Sequence, residues 1–424
     1  MKTAKQRKVL ILGGITHMID VVKTAKKMGM YAIVTDNNVG SPAKEFADKA
    51  YDISTSDTDK LAKIANEEEI DGVFTAFDDI NTWNALKLCK KLNLPFYASN
   101  VQLAITSNKD KFKEFCRTFN VPVIEEYSSE ENIWKNIEFP VIVKPVDSYA
   151  SQGISVCYDQ HELEDAYLKA EHRSKSGRVI VERFIDSTHG VEMYYTVQDG
   201  HVILTAVTDR YVYKATKEHP PLPIATLFPS KHMERYIETV DQRIREMIDG
   251  LKIDNGLVFI QSLYDDGDFY IYEMGFRLSG EQHYQIIEKQ TGVSLLEMML
   301  DLSVGKGTAN YSLKEYDGGF MPFPSCNLSI LLGAGTISEI RGIDEIMELP
   351  EVISFVSSRH VGDDIEMTGS YAQMLGRFNI VAQTTDDLEA VINKINKTLQ
   401  VISSDNREMI LARYEPYIAE MGTA

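Results

Sequence analysis

The sequence has no C-x-x-C pair. Its four cysteines, Cys89, Cys116, Cys157 and Cys326, stand far apart among apolar neighbours, the setting of buried free thiols rather than of disulfides or zinc ligands. No stretch approaches the roughly 20 apolar residues of a membrane span, and the opening MKTAKQRKVLILGG leads into a strand rather than a signal-peptide cleavage site. Positive charge is scarce: 44 Lys and Arg stand against 63 Asp and Glu, for a net charge of −19. That balance argues against sequence-independent nucleic-acid binding, which requires a basic surface to release counterions. No G-x-S-x-G elbow is present, and the nine histidines form no H-x-x-H or H-E-x-x-H arrangement, which weakens a serine-hydrolase or zinc-peptidase reading. The expectation is a cytoplasmic protein in a reducing compartment, with no membrane or nucleic-acid partner, in which any bound phosphate must meet a local cluster of cations.

What is present is ordinary globular material: 424 residues, 44% hydrophobic and 25% charged, enough for two to four domains. KVLILGG reads as a buried parallel strand, THMIDVVKTAKKMG as a helix closed by Gly29, and MYAIVTD as a second strand ending in Asp36. The rhythm repeats to about residue 100, predicting a doubly wound, Rossmann-like domain over 1–105. After Phe139 the pattern changes to short alternating strands, FPVIVKP, ISVCY, RVIVERFI and VEMYYTVQDGHVILTAVTDR, with one helix near 160–172, which predicts antiparallel sheets. GLVFIQSLYDDGDFYIYEM reads as a hairpin across Asp266-Gly267, followed by one long amphipathic helix over roughly 282–304. Short strands and the helix TDDLEAVINKINKTLQVIS fill the remainder.

Two stretches invite phosphate. LGGITHMID sits between a strand and a helix, with Asp36 where a ribose-binding acid would stand, but no third glycine follows Gly13-Gly14, so a tight turn at the sheet edge competes with a dinucleotide site. In FPVIVKPVDSYASQGISV, Lys144 ends an apolar strand ahead of a loop of small polar residues, the cation and N–H donors that a polyphosphate needs. A plain hairpin would look similar.

The order Lys109, Lys144 with its small-residue loop, VIVERFI, Gln261 and YEMGFRLSG resembles the ATP-grasp superfamily, in its carbamoyl-phosphate-synthetase-like and biotin-carboxylase-like branch, from about residue 7 to 305. The resemblance implies an α/β and α+β chain: a pre-ATP-grasp domain over 1–105, a small lid-bearing subdomain over 106–186, a large subdomain with the metal site over 187–310, and a mixed extension over 311–424. It implies that Lys109 and Lys144 contact ATP phosphates beneath a loop that includes Ser148, Ser151, Gln152 and Gly153. It further implies that Glu182, Arg183, Phe184 and Ile185 form a hinge reading the adenine edge, and that Glu192 receives the ribose hydroxyls. Lys111 and Lys113 would then be solvated helix residues. Glu182 and Glu192, taken alone, would read as exposed strand carboxylates.

Gln261 and Glu273 face one another on the predicted hairpin and would share Mg²⁺, or Mn²⁺ in its place, while Arg277 would be the catalytic arginine on the transferring phosphoryl group. The implied chemistry is activation of a small carboxylate as an acyl phosphate, captured by an amine or ammonia, with ADP and phosphate released. An ATP-binding protein without turnover, or an acyl-phosphate former acting with a partner, is the alternative. The segment RYVYKATKEHPPLP, with Arg210, Lys214 and His219, is a candidate for closing the site, and equally a solvated turn. His283 would orient substrate or cap a helix. A homodimer is the assembly that the resemblance suggests. The chain departs from the pattern E-x-N-P-R at Gly275 and Phe276: the missing asparagine oxygen would be replaced by water or by Glu281, or one ion would bind weakly.

Overall fold

The protein is described by a computed structural model covering residues 6–127, 137–146, 153–185, 189–213 and 221–416. Strands β1 (Lys8–Leu12), β2 (Tyr31–Thr35), β3 (Lys49–Tyr51) and β4 (Gly72–Phe74) form a parallel sheet in the order β3-β2-β1-β4. Helices α1 (Met18–Lys27), α2 (Thr58–Glu68), α3 (Asp79–Leu92) and α4 (Asn100–Thr106) accompany it. The apolar run Val9–Leu12 is buried on both faces, as a parallel strand between helical layers requires. Asp36 is spent locally: it accepts hydrogen bonds from the backbone N–H of Gly14 (2.8 Å) and of Asn38 (2.8 Å). The glycine pair is therefore a turn closed by this carboxylate.

A second, antiparallel sheet has the order β5-β8-β6-β7, from β5 (Glu126–Tyr127), β6 (Val141–Pro145), β7 (Ser155–Cys157) and β8 (Val179–Arg183). Helix α6 (Gln160–Arg173) packs on this sheet, while α5 (Lys109–Thr118) lays Phe112 and Cys116 into a different core with Met193, Tyr195 and Ile260. Leu163, Ala166 and Ala170 on α6 pack with Val141, Val143 and Val181 as a small core.

The third sheet is antiparallel and nine-stranded. Its main path is β13-β12-β9-β10-β11-β14-β18-β16, and β20 adds to β14. Its first part comprises β9 (His189–Gln198), β10 (His201–Tyr213), β11 (Leu222–Phe228), β12 (Gly256–Asp265) and β13 (Asp268–Phe276), with helices α7 (Met233–Tyr236) and α8 (Gln242–Gly250) between. The second part follows α9 (Tyr284–Thr291) and α10 (Leu295–Ser303) and comprises β14 (Ser325–Leu332), β16 (Val352–Ser357), β18 (Met374–Val381) and β20 (Ile410–Ala412). Between these run β15 (Gly335–Arg341), α11 (Ile343–Met347), β17 (Asp364–Ile365), α12 (Thr385–Thr398) and β19 (Gln400–Ser403), and β17, β15 and β19 form a small sheet of their own. The pairing of β11 with β14 carries the large sheet across the anticipated boundary at 310/311.

The single long helix expected over 282–304 is two. Gly292, at φ +72°, ends α9, and Ser294 starts α10 by accepting a hydrogen bond from the Glu297 N–H. A left-handed glycine followed by a serine cap is a stop and a restart, and the break lets α10 lie against the first sheet. There Met298, Met299 and Leu300 share one core with Val9, Ile11 and Phe74.

Candidate active site

The large sheet carries a polar row on one face. Glu273 on β13 stands opposite Gln261 on β12, and Gln261 stands opposite Glu192 on β9. Directly paired residues of antiparallel strands project to the same face, so the three oxygen-bearing side chains lie abreast. The Gln261 Nε2 donates to Glu192 Oε1 (2.6 Å). Among the described residues no hydrogen bond or ion pair engages the Glu273 carboxylate. A carboxylate beside an amide oxygen, both hard donors, fits a magnesium ion that completes its shell with water and phosphate.

The row continues on the next strands. Glu192 faces Thr208 on β10, and two residues further Arg210 faces Thr226 on β11; Thr226 faces Asn327 on β14, Asn327 faces Asn379 on β18, and Asn379 faces Ser354 on β16. The chain following β13 lies over this face. Asn327 donates to the Glu281 carbonyl (3.1 Å) and Asn379 donates to Gln285 Oε1 (2.9 Å). The carboxyl-terminal strands thereby hold the loop that bears Glu281 and His283.

Around that loop is a buried charged cluster. Arg210 Nε is 3.2 Å from Glu192 Oε1 and 3.8 Å from Glu281 Oε1. Tyr371 donates to Glu281 Oε1 (3.1 Å), Tyr194 donates to Glu192 Oε2 (2.7 Å), and Tyr194 also bonds His283 Nδ1. His283 Nε2 lies 3.4 Å from Glu281 Oε2, and neither atom has an aligned hydrogen bond. Burial, then the charge of Glu281, pushes Glu192 up from 4.5 to about 7, because charging one carboxylate beside another in a dry site is costly. Burial pulls His283 down to about 4. His283 opens α9 without its side chain capping it, so its place is in the cluster.

The second sheet gathers cations. Lys109 begins α5, and Lys144 is the penultimate residue of β6, where its Nζ pairs with Glu182 Oε2 at 2.7 Å. Burial is the largest influence on Lys144 and lowers its pKa, with the charges of Lys113 and Lys109 acting in the same direction against the pull of Glu182. Lys113, expected in solvent, is fully buried and pairs with Glu182 and with Glu126 (2.7 Å). It sits one helical turn from Lys109, on the same face of α5, and that spacing was the signal available for it. Glu182 and Glu192 are both buried, so neither is an exposed strand carboxylate.

The backbone N–H groups of Arg183 and Phe184 donate to the carbonyls of Glu125 (3.0 Å) and Pro140 (3.2 Å). The Arg183 guanidinium lies 4.9 Å from the Tyr270 ring centre, tying this segment to the β12-β13 hairpin, and Ile185 is buried. Gly153 has φ +77°, and a Cβ there would come within 2.8 Å of Arg173 Cδ and 3.0 Å of Pro145 Cγ. Ser148, Ser151 and Gln152 lie outside the described residues, as do Lys214 and His219.

Arg277 reaches toward the first domain. Its Nε donates to Asp79 Oδ1 (2.7 Å) at the start of α3, its Nη1 donates to the Leu278 carbonyl (3.1 Å), and its guanidinium lies 5.2 Å from the Phe259 ring centre. Asp79, Tyr194, Asn327 and Tyr371 had not been singled out in the sequence. Only Tyr194 carried a local signal, its alternation with Glu192 along one strand face.

Residues 86–310 match the family described as "Carbamoyl-phosphate synthase L chain, ATP binding domain", and residues 9–104 match "PylC-like, N-terminal domain". A carbamoyl phosphate synthase large chain of Clostridium acetobutylicum is 26% identical over 360 residues, 76% of this chain and 32% of the relative. The chain thus spans about a third of the length of that relative. An L-amino acid ligase from Bacillus licheniformis superimposes with a TM-score of 0.76 at 19% identity, over 95% of this chain and 100% of the other. The biotin carboxylase domain of the 2-oxoglutarate carboxylase from Hydrogenobacter thermophilus, described as a dimer in complex with MgADP, ADP and bicarbonate, superimposes with a TM-score of 0.75 at 17% identity, over 96% of this chain and 92% of the other. The fold is therefore that of the ATP-grasp ligases.

Proposed function

Since the chain belongs to the family of the carbamoyl-phosphate synthase L chain ATP-binding domain, we propose that it is an ATP-dependent ligase that activates a small carboxylate as an acyl phosphate and joins it to an amine or ammonia. The observation that carries this reading is the cross-strand register of Glu192, Gln261 and Glu273 on the large sheet, with Arg277 just past the end of β13. A carboxylate is a poor electrophile. Transfer of the γ-phosphoryl group gives it phosphate as a leaving group, and the protein's task is to position the partners and neutralise charge.

In this reading Lys109 and Lys144 hold the phosphates, Glu192 receives the ribose, and the carbonyls of 182–185 with the Ile185 N–H face the adenine. Gln261 and Glu273 would hold Mg²⁺, which supplies charge neutralisation at the phosphates; Mn²⁺ would substitute. Glu182 now occupies Lys144, and Asp79 occupies Arg277. Nucleotide therefore competes with internal carboxylates, and Arg277 must leave or share Asp79 to reach a phosphoryl group. The cluster of Arg210, Glu281, His283 and Tyr371 lies beside the polar row and is the proposed place for the acid and the amine. By analogy with the dimeric Hydrogenobacter domain, a homodimer is the proposed assembly.

The test is a phosphate-release screen of carboxylate and amine pools with ATP and Mg²⁺. Release that needs both an acid and an amine supports the ligase; nucleotide binding with no product in any pool would leave an ATP-binding protein instead. Arg277→Met is expected to abolish turnover with nucleotide affinity nearly intact.

A further inference from the structure

Gly275 is two residues from Glu273 on β13, so a side chain there would lie on the face that carries Glu273 and Gln261. Its cross-strand partner is Phe259. That position is closed: a Cβ on Gly275 would fall inside the van der Waals envelope of the Phe259 Cε1 and Cζ atoms, and within 3.0 Å of its Cδ1. Phe259 is itself buried, packed in the core between the large sheet and the first domain. The ring therefore fills the volume that any residue larger than glycine would need. Glu281, the other candidate to supply the missing side-chain oxygen, gives its Oε1 to Tyr371 (3.1 Å) and turns the same oxygen toward Arg210 (3.8 Å), while its Oε2 faces His283 Nε2 at 3.4 Å.

We propose that Phe259 closes the third protein position of the cation site, so that the β12-β13 hairpin offers a divalent ion Gln261 and Glu273 and no third ligand, one ion binds tightly per nucleotide, and the ring serves instead as the platform for Arg277. The guanidinium is 5.2 Å from the ring centre, a cation–π distance, and Asp79 fixes its other edge. Phe259 is then a positioning residue, and glycine at 275 is the consequence of the ring. Magnesium accommodates this because it keeps several waters and needs only one or two protein carboxylates or amides beside phosphate oxygens. The proposal rests on the nucleotide reading above, and its test separates the two.

Mn²⁺ bound to the full chain is counted by electron paramagnetic resonance, with a non-hydrolysable ATP analogue kept below the protein concentration. One tightly bound ion per nucleotide is expected for the natural chain, and two for Phe259→Val with Gly275→Asn. Two tight ions in the natural chain, or one in a double variant that still binds the analogue, would overturn the proposal. Failure of the natural chain to bind the analogue at all would count against the nucleotide reading instead. The steric lock is read independently by melting. Gly275→Ala alone is expected to lower the melting temperature by several degrees, and Gly275→Ala in a Phe259→Ala background to lower it little further. Additive losses would show that the ring does not exclude the side chain.

Discussion

Lys113 sits in an environment unlike that of a surface lysine. It has no exposed side-chain surface and is held between Glu182 and Glu126. Removing it takes one of two cations from Glu182, which keeps Lys144, and one of two from Glu126, which keeps Arg117, so the loss falls below that of an outright broken buried pair, at about 1–3 kcal/mol. Lys113→Met is expected to destabilise the protein by that order in urea denaturation, and Lys111→Met, at an exposed position, by almost nothing. Equal effects would refute the buried network. Glu192 gives a second prediction at this scale. Its folded pKa is raised from 4.5 to about 7, so between those values the unfolded chain has released a proton that the folded chain retains. Stability from this group is full below about pH 4.5, falls as pH rises, and levels off above about pH 7. The difference in unfolding free energy between the natural protein and Glu192→Gln should follow that course; a difference that is flat over the interval would contradict it.

The elements place these residues through two features of packing. Helix α10 exists as a separate element because Gly292 stops α9, and its carboxyl end meets β4 where Gly72 leaves no side chain: a Cβ there would lie 2.7 Å from the Ser303 carbonyl carbon. Backbone cannot yield as a flexible side chain can, so Gly72→Ala should cost at least about 1–3 kcal/mol, the usual range for overpacking. The check is a melting curve against Gly177→Ala, a position where a Cβ meets nothing but where φ is +69° and backbone strain alone acts. If Gly72→Ala is no worse than that control, the contact does not bind the first sheet to α10. The hairpin β12-β13 is the other feature. Its Asp266-Gly267 turn and alternation were legible in the chain, and with them the facing of Gln261 and Glu273. The partners on β9 and β10 were not, because strand neighbours 69 residues apart, as Glu192 and Gln261 are, leave no local pattern.

For the whole molecule, the continuity of the large sheet decides how the parts depend on one another. Strand β14 pairs with β11 and β18, and Asn327 and Asn379 hold the Glu281–Gln285 segment. A chain ending at residue 310 would expose the edge of β11 and release that segment. Such a chain is expected to aggregate or to lose protection of the 279–285 amides in hydrogen exchange, since an unpaired apolar edge strand is an association surface. A soluble fragment with native protection there would show that the carboxyl-terminal strands are dispensable to the site.

Local chemistry along the chain was enough for the parallel first domain, the antiparallel remainder and the hairpin, because apolar period, turn residues and short-range spacing are properties of neighbouring residues. The order of the candidate site motifs, and Gly275 as a departure among them, came from the resemblance to a known family. The burial of Lys113, the capture of Arg277 by Asp79, the Glu192–Glu281–His283 cluster and the filling of the 275 position by Phe259 came only with the folded chain. Each joins residues from different strands or domains, and the free energy of a charge or a ring depends on which groups surround it in space rather than on which precede it in sequence.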